Sequence, residues 1–168
     1  MADFAPAFEA MIKAEGGYVL HNVPGDRGGM TYAGIARNMN PQWPGWQLID
    51  TGRDVPAQMV RDFYKPGYWD NIRGDDIEHQ AIAESIFDFQ VNTGAPARKL
   101  AQLVVGATPD GQFGDKTLAA LNAADPEKFV MAYALAKIAR YRDIVRRDRV
   151  QQKFLLGWIS RTLAGVAV

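Results

Sequence analysis

Cysteine is absent from the 168 residues, which excludes disulfides and cysteine-ligated metal centres and says nothing of the redox compartment. Histidine is scarce: His21 and His79 stand alone, and no His/Asp/Glu group has the spacing of a metal site. The turn Asp110-Gly111-Gln112 has too few oxygen ligands for a calcium loop, and Gly28-Gly29 lacks the Gly-Lys-Ser/Thr ending of a phosphate cradle. Neither metal nor cofactor is expected. No apolar run approaches the roughly 20 residues a membrane helix needs, so stable membrane insertion is not expected either. Met1-Ala2-Asp3-Phe4 lacks the basic start and long apolar stretch of a signal peptide. The expectation is synthesis in the cytoplasm, with any outside target reached by another route.

Net charge is also missing, but only in the sum. Residues 137–161 hold eight Lys/Arg against two Asp, so this stretch is basic and the remainder acidic by the same amount. Such a helix suits an anionic polymer, nucleic acid or cell wall, or is simply a solvated face. No helix-turn-helix signature and no aromatic-and-basic single-strand groove accompanies it, so nucleic acid is not expected as a partner.

What is present is 48% hydrophobic sequence, enough for one compact core with two lobes. Phe4, Phe8, Met11 and Ile12 recur at helical spacing, with Asp3 as N-cap and Gly16-Gly17 as the stop. Residues 16–34 are too rich in Gly and Pro for helix, and 18–20 read as a short strand. Thr31 reads as the cap of a short helix reaching Ile35, residues 40–52 as a loop, and 55–64 as a helix stopped by Pro66-Gly67. From there the pattern is helical. Ile82, Ile86 and Phe89 mark one helix, halted at Thr93-Gly94. Leu100, Ala101 and Val104 mark the next, and 117–121 a short one. Asp125-Pro126 opens a long helix through Val130, Ala134, Ile138, Tyr141 and Val145, and Phe154, Leu155, Trp158 and Ile159 mark the last. The expected class is mostly α, with a small β-hairpin or loop element near the N-terminus and a seam near 92–96.

Chemistry concentrates in the first lobe. Glu15 falls in the last turn of its helix, where the dipole opposes a negative charge. That dipole and apolar neighbours favour the protonated carboxyl, the state in which it donates a proton to a leaving sugar oxygen. Asp26, eleven residues on among Gly25, Arg27, Gly28 and Gly29, is suited to stay ionised. It would steady an oxocarbenium-like transition state or deprotonate the attacking water, or else serve as a turn residue. Thr31 either orients that water or caps a helix. Tyr18, Tyr68 and Trp69 are candidates for stacking on sugar rings, with Trp43, Trp46 and Tyr64 as further aromatics in or beside loops. Gln90 and Asn92 carry amides suited to an N-acetyl group, or they end their helix.

Glu15-Gly16-Gly17-Tyr18, Pro24-Gly25-Asp26-Arg27-Gly28-Gly29 and Thr31-Tyr32-Ala33-Gly34-Ile35 together resemble the opening signature of glycoside hydrolase family 108. These are lysozyme-like N-acetylmuramidases of phage and bacterial origin. Met30 and Tyr32 depart from the pattern, which usually has proline, and asparagine or lysine, at those places. Residues 87–94, 110–117 and 153–161 resemble the family's C-terminal predicted peptidoglycan domain. The resemblance implies a lysozyme-like catalytic lobe over 1–92 and a helical peptidoglycan-binding lobe over 93–168, packed as one unit. It implies a hydrolase of the β-1,4 bond between N-acetylmuramic acid and N-acetylglucosamine, with Glu15 as the catalytic glutamate. Likeness to phage-type lysozymes extends this to Asp26 and Thr31. Peptidoglycan strands are the implied partner, reached in the periplasm or at the wall through a holin or secretion system. A non-catalytic wall-binding or secretion-accessory protein that keeps the fold is the alternative.

Overall fold

The computed structural model describes residues 1–22 and 28–166. Helix α1 (Phe4–Ala14) starts where Asp3 accepts a hydrogen bond from the Ala5 amide at 2.9 Å and buries Ala7, Phe8, Met11 and Ile12. It ends as two glycines allow: Gly16 and Gly17 have φ of +90° and +83°, and the Gly17 amide donates back to the Ile12 carbonyl at 2.9 Å.

A three-stranded antiparallel sheet follows, β1 (Leu20–His21), β2 (Thr31–Tyr32) and β3 (Ile35–Ala36), in that order. The expected short helix from Thr31 to Ile35 is instead a hairpin. Ala33 and Gly34 join its strands with φ of +49° and +79°, the left-handed pair that a tight two-residue turn requires.

The stretch expected as loop contains a short helix, α2 (Gly45–Asp50). It is held by side chains: Trp46 donates its indole N–H to the Asn40 carbonyl at 2.9 Å and meets Trp43 edge-on at 5.2 Å. Helix α3 (Ala57–Tyr64) is not stopped by Pro66-Gly67; residues 65–69 continue as a wider turn and 70–76 as 3-10 turns. Pro66 falls at the start of that wider turn, where the change of helical register accommodates a residue with no N–H. Lys65 then bridges Asp70 and Asp75, at 2.9 Å each.

Helix α4 (Gln80–Thr93) is the central element, packed against α1 on one side and α5 (Ala95–Val104) and α7 (Pro126–Arg147) on the other. Gly94, with φ +66° and ψ −134°, breaks α4 from α5. Helix α6 (Asp115–Asn122) follows the loop that Gln102 organises, its amide bonding Asp110 and the Gln112 carbonyl and its oxygen accepting the Gly111 amide. Asp125 caps α7 through the Lys128 amide at 2.9 Å. A 3-10 segment over residues 149–154 leads to α8 (Leu155–Ala164), which packs along α7. Buried side chains form one core from Ala2 to Tyr141, so both ends of the chain share it. The architecture is mostly helical with a small N-terminal β element, as expected.

Gly74 marks a place where the core tolerates no side chain, since a Cβ there would lie 2.2 Å from the buried Trp69 ring. Gly74→Ala is expected to lower stability by about 1–3 kcal/mol through overpacking, read from urea denaturation. An unchanged midpoint would show that the indole has room to move.

Candidate active site

Glu15 is the residue that caps α1, with φ −79° and ψ 0°, and its amide still donates to Met11 at 2.9 Å. The end of the helix and the two glycines after it turn the chain sharply, leaving the Glu15 side chain 21% exposed. The β2–β3 hairpin comes up beside it. A Cβ on Gly34 would lie 3.3 Å from Glu15 Oε2 and 2.6 Å from the Tyr64 hydroxyl, so the hairpin's backbone abuts the carboxyl. Tyr64 donates to the Ala33 carbonyl at 2.9 Å, which ties α3 to the same turn. Burial, then the nearby Glu15 carboxylate, push the Tyr64 phenol far above its ordinary range.

On the other side of Glu15 stands a cation. Arg161, from α8, donates through Nη1 to Glu15 Oε1 at 2.8 Å and through Nη2 to Asp88 Oδ1 at 2.7 Å. Its Nε also reaches Asp88, at 3.2 Å. Burial works against the guanidinium charge, but the hydrogen bond and charge of Asp88 and the charge of Glu15 hold its pKa above the ordinary value. Lys137 of α7 is buried close by, bonded to the Ser85 carbonyl at 3.2 Å and its hydroxyl at 3.3 Å. Its ammonium lies 4.6 Å from the Tyr133 ring centre and 5.2 Å from that of Phe89. Burial chiefly pushes the Lys137 pKa down to about 8; Asp88 opposes the shift and Arg161 adds to it.

The residues expected at the site are not all brought together. Tyr68 lies near it: half-buried, it stacks at a tilt on Tyr64 at 5.4 Å and on Phe63 at 5.8 Å. Tyr18 is 38% exposed just after the glycines, and Asn92 is exposed one turn from Asp88, its amide donating to the Asp88 carbonyl at 2.7 Å. Thr31 lies in β2, not at a helix start, and its hydroxyl bonds the Gly29 carbonyl at 3.3 Å. Trp69 and Gln90 are core residues. Trp69 is fully enclosed, with its indole N–H on Asp75 at 2.6 Å, and Gln90 is 3% exposed. Neither side chain offers a face to a saccharide. Asp26 lies outside the described residues.

Arg161, Asp88 and Tyr64 were not legible as neighbours of Glu15, because nothing local signals a contact across 146 residues. Trp43, however, does line a cavity of about 790 Å³ with Met39, Pro44, Met59, Asp62 and Phe63. Phe63 links that wall to the site, meeting Tyr64 edge-on at 5.1 Å.

The family model described as glycosyl hydrolase 108 matches residues 8–94, and that of a predicted peptidoglycan domain matches 95–163. Among solved structures, that of SagA from Brucella abortus is 28% identical, with a TM-score of 0.73, over 96% of this chain and 90% of that one. No curated protein matches the chain.

The buried lysine makes stability depend on pH. Unfolded, Lys137 keeps its proton up to its ordinary value of 10.5; folded, it releases it at about 8. The unfolded state therefore binds more protons between about pH 8 and 10, and the lysine's contribution to stability rises with pH across that window. Urea titrations of wild type and Lys137→Met at pH 7 and pH 9.5 should show wild type gaining on the variant. A pH-independent difference would place the ammonium in water.

Proposed function

The chain belongs to the glycosyl hydrolase 108 family, and from that premise we propose that it is an N-acetylmuramidase with Glu15 as its general acid. The coarse assignment, a glycosyl hydrolase directed to peptidoglycan, follows from the two matched segments. The finer reading is that the bond cut is the β-1,4 link from N-acetylmuramic acid to N-acetylglucosamine. One observation carries the choice of Glu15 as the acid, and the bond follows from the family alone. A single carboxyl stands at the end of α1, one-fifth exposed, with a tight turn on one side and a paired arginine on the other.

In this reading Glu15 gives its proton to the glycosidic oxygen as the bond to the sugar's anomeric carbon breaks, and positive charge spreads over that carbon and the ring oxygen. Asp26 serves as the ionised partner, steadying that charge or taking a proton from the attacking water, and Thr31 orients the water. The water's oxygen bonds the anomeric carbon as its proton passes to Asp26 or to the now-ionised Glu15, completing hydrolysis. Tyr18, Tyr68 and Asn92 are the proposed contacts to the glycan. Export through a holin or secretion system remains part of the proposal, as does action in the periplasm or at the wall.

Glu15→Gln keeps the side chain's shape but removes the donated proton. It should cut the rate of peptidoglycan digestion by roughly 100- to 10,000-fold with an unchanged melting temperature. Mass spectrometry of wild-type digests should find new reducing ends on muramic acid. Intact glycan with cleaved peptides would reject the bond assignment, and an inactive wild type would turn the case toward a wall-binding accessory.

The basic stretch belongs to wall binding. Arg146, Arg147 and Arg149 are exposed, and none forms an ion pair among the described residues. Changing all three to Gln should weaken co-sedimentation with peptidoglycan at low salt, and the gap should close near 1 M salt, where screening acts within about 3 Å. Equal binding at every salt concentration would make these residues a solvated face.

A further inference from the structure

The two carboxyl oxygens of Glu15 are not equivalent. Oε1 accepts from Arg161 at 2.8 Å, whereas Oε2 has no hydrogen-bond partner among the described residues and lies beside Gly34. Arg161 is itself anchored before it reaches Glu15. Its Nε and Nη2 both donate to Asp88, which rides on the buried central helix α4, and the neighbouring Thr162 is packed against α7 through Tyr141. A guanidinium is a rigid planar fork, so fixing one edge on Asp88 fixes where Nη1 points. The anchor and the carboxyl belong to the segment matched by the hydrolase family, and the arginine to the segment matched by the peptidoglycan domain.

We propose that Arg161, anchored on Asp88, is a positioning residue for glycan cleavage: it holds Glu15 by Oε1 and makes Oε2 the oxygen that carries and delivers the proton. This rests on the reading of Glu15 as general acid. As the proton leaves Oε2 for the glycosidic oxygen and the C–O bond breaks, negative charge forms on the carboxyl. The guanidinium is already in hydrogen-bond contact with that group and need not reorganise to receive the charge. The peptidoglycan segment thus contributes to the chemical step as well as to holding the polymer. Lysine is a poor substitute, since a single ammonium has no planar fork with which to hold Asp88 and Glu15 at fixed angles.

The test compares Arg161→Met, Arg161→Lys and Asp88→Asn with Glu15→Gln, using soluble glycan oligomers prepared from peptidoglycan. The readouts are kcat, KM, melting temperature and rescue by added guanidinium ion. For Arg161→Met, kcat should fall roughly 10- to 100-fold with KM nearly unchanged, the signature of a lost orienting contact. Millimolar guanidinium should restore part of kcat, Arg161→Lys should remain impaired, and Asp88→Asn should lower kcat in the same direction. If Arg161→Met keeps kcat within about twofold of wild type while Glu15→Gln is inactive, the inference is overturned and the role of Glu15 stands. If activity falls only in step with melting temperature and guanidinium restores nothing, the inference is also overturned, and Arg161 is a structural tie. If Glu15→Gln is fully active, the reading of Glu15 fails first and this one with it.

Discussion

The contact between Arg161 and the carboxylates of Glu15 and Asp88 is the constraint around which the site is organised. All three side chains are only a fifth to a third exposed, so each polar group is partly removed from water. A half-buried ion pair contributes little net stability when compared with apolar packing, but removing one member leaves the others uncompensated, which is costly. Here one guanidinium serves two acids on different helices. With Lys137 buried on α7 and sensing both Asp88 and Arg161, the cluster holds two cations against two carboxyl groups. Side chains from the end of α1 and from α4, α7 and α8 thus meet at this one place, on the edge of the apolar core that packs the helices together.

Backbone geometry sets the other wall. Gly34 brings the β2–β3 turn against both the Glu15 carboxyl and the Tyr64 hydroxyl, where any Cβ would collide with that hydroxyl. The same turn offers its Ala33 carbonyl to Tyr64, so α3 and the hairpin hold each other. Glu15 is therefore enclosed by a cation on one side and a main chain on the other, with Gly16 and Gly17 allowing the chain to leave α1 at once. A carboxyl held in this way is restricted before any substrate arrives, and pre-orientation of a catalytic group is worth more to a rate than extra contacts to substrate.

Much of this frame could be read from the chain because its signals are local. Asp3, Asp125 and the glycines at 16, 17 and 94 begin or end helices at the expected places, and the periodic apolar positions of α1 and α4 face the core; on α7 Ala134, Tyr141 and Val145 do so, while Val130 and Ile138 are only half-buried and Phe129, Tyr133 and Lys137 are buried beside them. Where the reading failed, a tertiary interaction had overruled a local preference. Thr31 looked like a cap because the turn that makes it a strand residue depends on Ala33 at positive φ, which an alanine does not advertise. Helix α2 is too short to announce itself and is held by the packing of Trp43 and Trp46. Trp69 followed proline and glycine and looked like a rim residue, yet the bare Cα of Gly74 makes room for its ring in the core. The place of Glu15 at the end of α1 was legible, but the residues that pack beside its carboxyl were not. A contact between residues 15 and 161 has no periodicity or spacing to betray it.

That long contact also bears on how the two matched segments relate. Their boundary falls at Gly94, between α4 and α5, where a single glycine in a left-handed conformation separates two helices that remain packed together. If the segments were independent units joined there, Glu15 and Asp88 would lose the guanidinium they share, and α4 would lose its packing against α7. The chain avoids this by threading its last helix back to its first. The two matched segments are consequently built on one core, and any movement of α8 would be felt directly at Glu15 through a single guanidinium.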